Sequence, residues 1–501
     1  MRIIKWATIS VLLISFTGCN TDKPKTNDPL PETPKEINWQ PGCTSCHPYE
    51  LDTFHNMECT ECHHGNNLAR QKEPAHHNLI TKPAHPDNLQ NSCGGCHPQT
   101  KNLDDAIHFT LKNEVNIIRQ AFGAQATLLS LTEIPVTQGS PTDPLALVDD
   151  LLRRRCLRCH PYFAGDSFTG TSRGSGCAAC HLSFNAGSLL SHRFLKTPTD
   201  RQCLSCHYGN FVGADYYGGY EHDFKWEYRT PYLANGNYPD RPFGLEYHPL
   251  TPDVHQTAGL ACVDCHGGRE LMGKGHSDYA TGKSSTAQKI SCETCHSWQP
   301  GQPMPLPNLK QKNNRLILTT KLTEKELAVP SMQHEAHLLY GKKAACMVCH
   351  AQWSFNDLGV HLLRSDMDDY GPWEDLAVQG SSEVEQILLD SFTGADRGYL
   401  PQMTDKLTGE DRAGLWYKGF EIRRWESPII GQGPDGRFQV MRPILDLHLS
   451  FINSEEEVIF DSIKSVSPKN GLRPYTPHTV GKAGTFYRQR LQDNSTSYRK
   501  K

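Results

Sequence analysis

What this chain of 501 residues lacks narrows its reading first. Apolar residues make up only 37% of it and mean hydropathy is −0.57. Its one early apolar run, Ile9–Phe16, is far short of the roughly 20 residues a membrane-spanning helix needs. A length that ordinarily serves about three domains therefore has too little side-chain oil for three ordinary cores. Neither sign of charge dominates: 51 Lys and Arg face 55 Asp and Glu, a net −4. That balance lacks the basic surplus of nucleic-acid binding, so nucleic acid is excluded as a partner. Stray cysteine is almost absent too, because all but one of the 19 fall in a single repeated pentapeptide. Glycine (40) and proline (33) are plentiful and mark many turns and little regular structure.

The pentapeptide is Cys-x-x-Cys-His, and it occurs nine times: Cys43/Cys46/His47, Cys59/Cys62/His63, Cys93/Cys96/His97, Cys156/Cys159/His160, Cys177/Cys180/His181, Cys203/Cys206/His207, Cys262/Cys265/His266, Cys292/Cys295/His296 and Cys346/Cys349/His350. Zinc sites pair two Cys-x-x-Cys units and do not require histidine after each second cysteine. A disulfide framework shows varied spacings, and a thioredoxin-like pair occurs once. The spacing is the attachment signature of c-type haem. Two thiols form thioethers to the macrocycle, and the adjoining histidine reaches the iron from one face. Nine haems also explain the missing oil, because each is a large apolar body around which side chains pack. The expected fold is a mainly irregular and α, haem-packed multihaem cytochrome c with short helices, unfolded without its cofactor.

The motifs fall into three groups of three, predicting trihaem modules over 42–155, 156–254 and 255–350, the first two ending in a spacer or a Tyr/Gly-rich loop. The apolar spacing of Val148, Leu151, Leu152 and Leu157 predicts a helix over 148–158, with acids at its start and arginines later. Thr323-x-x-Glu326 reads as a capping box, and 332–340 as a helix leading to Cys346. Seven tyrosines between Tyr216 and Tyr247 sit among glycines and prolines, in a long loop that either covers haem edges or decorates the surface. Residues 351–501 carry no motif. After 414, Phe438-x-Val440 and Leu445-x-Leu447-x-Leu449-x-Phe451 alternate around a Pro434-Asp435-Gly436 turn, predicting a small β-rich, haem-free region.

Residues 1–18 read as an export signal, with Arg2 and Lys5 before the apolar run. The run ends at Phe16-Thr17-Gly18-Cys19, which resembles the lipobox of bacterial lipoproteins, although Phe16 stands where an aliphatic residue is usual. The resemblance implies lipidation of Cys19, the one cysteine outside the motifs; a plain signal peptide is the other reading. Residues 19–41 then form a proline-rich tether.

What each haem does depends on its second axial ligand, since a closed site transfers electrons and an open one can transform a substrate. Of 25 histidines, nine belong to the motifs, enough remaining to close every site. The best-placed are His55, His64, His85, His108, His192, His255, His276, His334 and His337. His255 and His276 flank the motif at Cys262, and His334 and His337 share one face of the expected helix, where at least one should ligate. His448 alternates with Leu447 and Leu449, which predicts a surface position. Pro477-His478-Thr-Val-Gly-Lys-Ala-Gly is similar to the approach to a haem motif, yet Thr485-Phe-Tyr-Arg follows; a lost tenth site and chance are both open.

Motif density over 43–350, the lipobox and the stretch His255–Gly275 together resemble the multihaem c-type cytochrome lipoproteins of metal-respiring bacteria. The resemblance implies an outer-membrane lipid anchor on the periplasmic or cell-surface face and a haem wire serving anaerobic respiratory or extracellular electron transfer. It also implies other multihaem cytochromes or quinol-linked donors as partners, with an outer-membrane porin alongside. His64, next to a motif histidine, occupies a place used for distal ligation in small multihaem cytochromes. The leading expectation is thus an electron carrier and not an enzyme. The alternative is a reductase of a nitrogen, sulfur or selenium oxyanion at one five-coordinate haem.

Overall fold

The computed structural model describes residues 42–185, 187–209, 213–221, 240–272, 290–355, 360–367, 384, 387, 401–420, 425–426, 428–443, 447–465, 472–484 and 490. The expected signal, tether and Cys19, three of the loop tyrosines (Tyr228, Tyr232 and Tyr238) and the candidate ligand His276 lie outside them.

Each motif is built as one tight turn. The motif histidine's backbone N–H donates to the carbonyl of its first cysteine, at 2.8–2.9 Å in His47, His63, His97, His181, His207 and His266. Residues i, i+3 and i+4 of such a turn lie on one face, so both thiols and the imidazole point the same way. Cys292–His296 and Cys346–His350 are complete short helices of this kind. The exception is Cys156–Cys159, a 3₁₀ turn after which His160 swings into extended backbone (φ −111°, ψ 161°). Small residues let these turns crowd together. Gly176, at φ +57°, packs so closely on Ala84 that a Cβ would sit 1.6 Å from its carbonyl oxygen, which brings the motif at Cys177 against the segment before Cys93.

The largest core is not among the motifs. Helix Lys112–Ala121 and helix Pro144–Arg154 pack onto a four-stranded sheet in the order Leu415–Phe420, Val360–Ser365, Leu447–Ile452, Val458–Lys464. Asp143 starts the second helix by accepting from the N–H groups of Leu145 and Ala146, both at 2.9 Å, and Pro144 supplies a first residue that needs no partner. Leu147, Val148, Leu151, Leu152 and Leu157 are buried against Leu363, Leu415, Trp416, Leu449 and Phe451. The spacer of the first predicted module therefore belongs to the same core as the C-terminal strands. Leu151→Ala should cost about 2–5 kcal/mol, read as reduced hydrogen-exchange protection in this sheet while the attachment turns keep theirs.

Several expectations are corrected. The helix predicted over 148–158 begins at Pro144 and ends at Arg154, because its cap lies upstream of the apolar run. The second predicted helix is confined to Glu335–Tyr340. Glu326 is no capping residue but opens the strand Glu326–Ala328, in a meander with Leu309–Lys312 and Arg315–Thr319. That meander turns at Asn313-Asn314, both at positive φ (51° and 57°), the twist a two-residue hairpin loop requires. Strands begin well before 414, at Ser354–Phe355 and Val360–Ser365. The turn at Pro434–Gly436 is as expected, joining Ile429–Gln432 to Phe438–Pro443. His448 is not on the surface: it is 2% exposed, because its strand runs parallel to Val360–Ser365 in the middle of a sheet covered on both faces.

Candidate functional site

The eighteen motif cysteines are all free of disulfides. Burial pushes the Cys177 thiol up to about 11 and the Cys156 and Cys265 thiols up to about 12, so they are held protonated. Thiols of different motifs are neighbours. Cys43 and Cys59, Cys159 and Cys206, Cys203 and Cys262, and Cys292 and Cys346 lie close enough for each thiol to shift its neighbour's titration. Cys62 lies within electrostatic reach of Cys93, Cys93 of Cys177, Cys180 of Cys206, and Cys265 of Cys295.

The eighteen thiols are not alike, contrary to what one invariant motif suggests. Cys46 and Cys96, both expected from the sequence to bind the cofactor, are exposed, where most of the other motif cysteines are half-buried. The cause is local. Residues 44–50 and 95–98 are exposed wherever the structure describes them, and Gly94-Gly95 offers no side chain to cover the Cys96 thiol. Cys96 still lies within electrostatic reach of Cys62, so its turn remains part of the cluster. An exposed thiol can form a thioether as a buried one does; the difference is that its macrocycle would stand at the protein's edge. Cys180 also touches solvent, yet enough of the chain surrounds it to push its thiol up to about 12.

The histidines are arranged in pairs. Ring centroids stand 6.0 Å apart in His47–His76, 6.2 Å in His55–His97, 5.9 Å in His63–His192 and 6.2 Å in His108–His207. They stand 6.1 Å apart in His255–His296, 6.3 Å in His266–His478 and 6.2 Å in His337–His350. Every one of these pairs joins a motif histidine to a histidine outside the motifs. The planes meet at anything from 7° to 78°, so no stacking preference sets the spacing. Two metal–nitrogen bonds of about 2.0–2.1 Å and the half-rings behind them bring opposed imidazole centroids to roughly 6 Å. An eighth site has another form: the rings of His85 and His160 both stand edge-on to Tyr162 at 5.6 Å.

No family model, no curated protein and no solved structure matches this chain. The site must be read from its own geometry.

That geometry extends behind the rings. An imidazole that donates from Nδ1 carries its proton there and leaves the Nε2 lone pair for a metal. Nδ1 of His63 donates to Ile80 O (2.9 Å), of His181 to Leu195 O (2.6 Å), of His296 to Pro330 O (2.7 Å) and of His350 to Gly481 O (2.9 Å). Carboxylates do the same work elsewhere: Asp52 for His55 (2.9 Å), Asp253 for His255 (2.8 Å) and Glu270 for His266 (3.1 Å). Burial raises the Asp52 carboxyl, but the Phe194 N–H and His55 more than offset it, and Asp52 ends at about 2. Burial, with Arg173 beside it, pushes His160 down to about 3, so this ring is neutral. Its Nε2 is buried and lacks a hydrogen-bond partner. Its Nδ1 accepts from the Tyr162 N–H at 3.0 Å, so the neutral ring carries its proton on that buried Nε2, the reverse of the rings above.

The donor chemistry separates metals. A pair supplies two nitrogens, which suits an iron whose other four donors come from a macrocycle; structural zinc needs four protein ligands. Among the described residues no group of three or more His, Cys, Asp and Glu is set to hold a bare ion.

Of the candidate distal ligands, His55, His108, His192, His255 and His337 each face a motif ring, and His85 shares Tyr162 with His160. His64 lines an open surface hollow with Glu73, His77 and Asn78, and His334 caps the helix Glu335–Tyr340, its Nδ1 accepting from Ala336 N–H. Neither has a motif ring opposite. Two histidines not singled out from the sequence do: His76 and His478. His478 could have been found, since its lead-in was already unusual; nothing in the His76-His77 doublet says which of the two turns inward. His181 has no imidazole opposite it among the described residues. No helix among those residues is long and apolar enough to cross a membrane.

Proposed function

We propose that this chain is a multihaem c-type cytochrome, with nine covalently held haems, that carries electrons. The observation carrying the reading is the set of seven mixed imidazole pairs at 5.9–6.3 Å, each beside a turn that presents two thiols. Haem, when bound, supplies one-electron iron chemistry. The chain's residues do the rest. The eighteen thiols attach, the exposed Cys46 and Cys96 among them. The paired imidazoles would hold the iron from both sides and leave no place for substrate, and the carbonyls and carboxylates behind Nδ1 of His55, His63, His181, His255, His266, His296 and His350 fix those seven rings and raise their basicity. Ligation by two histidines, with few methionines, favours low reduction potentials.

The thiol contacts support a continuous path. They run from the motif at Cys43 through those at Cys59, Cys93, Cys177, Cys203, Cys262 and Cys292 to Cys346, with the motif at Cys156 joined to the path at Cys206. The N-terminal sequence supports an exported protein anchored through Cys19 to the outer membrane. There it would exchange electrons with other multihaem cytochromes or quinol-linked donors, a porin being a further partner.

The test is the purified, fully oxidised holoprotein. Protein mass and the pyridine haemochrome should give nine haems, and electron paramagnetic resonance should show low-spin iron with bis-histidine signatures. Absence of covalent haem overturns the reading. A high-spin iron that responds to nitrite or sulfite replaces the carrier with an oxyanion reductase, and His181 marks the site to inspect.

A further inference from the structure

The motifs at Cys156, Cys177 and Cys203 meet at one place, and one buried cation sits there. Arg173 is 5% exposed. Its guanidinium donates from Nη1 to Ser205 O and Thr171 O, both at 3.1 Å, and from Nη2 to Arg158 O. Arg158 and Ser205 are the residues just before the second cysteines of two different motifs, Cys159 and Cys206. The fork therefore ties two attachment turns together, at the point where the Cys159 and Cys206 thiols touch. Arg173 also stands only four residues before Cys177, so its guanidinium lies among all three motifs.

Nothing described here neutralises it. No carboxylate among the described residues pairs with Arg173, and its Nε is buried without a partner. Asp166, whose carbonyl accepts from the neighbouring Thr171 hydroxyl, has its carboxylate shared by Arg158 (2.9 Å) and Lys406 (3.2 Å). A buried cation without its anion is costly, and a chain that needed only a clamp for two carbonyls could use a neutral amide donor. Adding an electron to a site beside a fixed positive charge in a poorly screened interior is favoured.

We infer that Arg173 is a positioning residue of the three-way junction: its fork fixes the turns at Cys159 and Cys206, and its charge raises the reduction potentials of the groups attached there, making the junction the place where electrons collect. This rests on the electron-carrier reading. Two sites on the path and the branch joined to it at Cys156 then form a store within the wire, filled when donors outrun acceptors.

The experiment is a spectroscopic redox titration of holoprotein, preceded by the haem count. A wild-type chain without nine haems defeats the electron-carrier reading and leaves the clamp geometry untouched. With nine haems in both proteins, Arg173→Gln should make about three of the nine harder to reduce, each by on the order of tenfold in its one-electron equilibrium, about 59 mV. Superimposable curves overturn the inference while the carrier reading stands. Arg173→Lys keeps the charge and loses the fork, so it decides the matter even if the glutamine variant fails to mature. Its titration curve should match wild type while the Soret circular-dichroism couplet between neighbouring haems weakens. An unchanged couplet overturns the clamp, and a lowered curve overturns the role of charge.

Discussion

On the electron-carrier reading, His478→Ala should convert the iron held at His266 from low-spin to high-spin and leave the other sites unchanged. His478 stands far beyond the last attachment motif, yet its ring faces His266 at 6.3 Å. The chain holds it there chiefly by backbone, since the ring's own contact with Asp215 Oδ2 is long, at 3.9 Å. Its N–H donates to Asp215 Oδ2 at 2.9 Å, the next N–H but one, that of Val480, donates to Asp253 Oδ2 at 2.7 Å, and Thr479 Oγ1 donates to Trp353 O at 2.6 Å. Alanine keeps all three bonds, so the segment stays and only the imidazole goes. The readout is the high-spin signal in electron paramagnetic resonance, about one iron equivalent, with new binding of cyanide or azide at that iron. His478→Met should instead stay low-spin and raise that site's potential, as thioether ligation does. An unchanged spectrum for the alanine variant would mean that His266 has a different partner. His64→Ala and His334→Ala serve as controls and should leave every iron low-spin.

The same four residues serve a second site. Gly481 O accepts from His350 Nδ1 at 2.9 Å, and Gly481 N–H donates back to His350 O at 2.8 Å. The motif-free tail thus supplies a ring for one attachment turn and an anchor for another. This is why the tail's role was not legible in the sequence. A Cys-x-x-Cys-His turn is local and, the motif at Cys156 apart, places its two thiols and imidazole on one face, so that shared face was readable from spacing alone. How deep each thiol lies was not, since Cys46 and Cys96 carry the same motif as the half-buried thiols and differ only in what packs around them. Two of the paired rings come from more than a hundred residues away, His192 against His63 and His478 against His266, the latter held by Asp215. No short-range pattern carries that.

The sheet divides the same way. Alternation along 445–451 announced strands after 414, whereas Val360–Ser365 reads Val-His-Leu-Leu-Arg-Ser, with no alternation because both faces are covered. The same cover misplaced His448. It lies within reach of Ser462 Oγ (3.4 Å) in the buried centre of the sheet, where an alternating pattern would have put it in water. The helix over 144–154 was readable except at its start, since Asp143-Pro144 precedes the apolar periodicity that announced it.

Removing Asp405 should weaken the helix–sheet core by about 3–5 kcal/mol, the cost of leaving a buried cation without its partner. Asp405 is fully buried. Its Oδ2 accepts from Arg153 Nε at 2.7 Å and faces Arg412 Nε at 3.2 Å, and its Oδ1 accepts from the N–H groups of Leu407 and Thr408 at 2.9 and 3.3 Å. Arg153 comes from the helix and reaches the Asp405 loop across the core, so this carboxylate joins the spacer between motifs to the C-terminal region. In Asp405→Ala, Arg153 keeps only the Ile134 carbonyl at 2.8 Å. Burial alone would raise the Asp405 carboxyl, but Arg153 and the two backbone donors outweigh it and hold the group below its ordinary value of 3.8. Its contribution is therefore present in full above that value and is lost as pH falls through the lower, folded-state one. Hydrogen exchange in Val360–Ser365 and Leu447–Ile452 should show protection reduced by about 2–4 orders of magnitude at neutral pH in Asp405→Ala. The acid limb should be flatter than in the wild type, because the group that titrates there is gone. Equal protection in the two proteins at neutral pH would place the join between these regions elsewhere, in the Arg154 Nη1 donation to Ala413 O at 2.7 Å or in the Trp416 Nε1 donation to Asp150 at 2.8 Å.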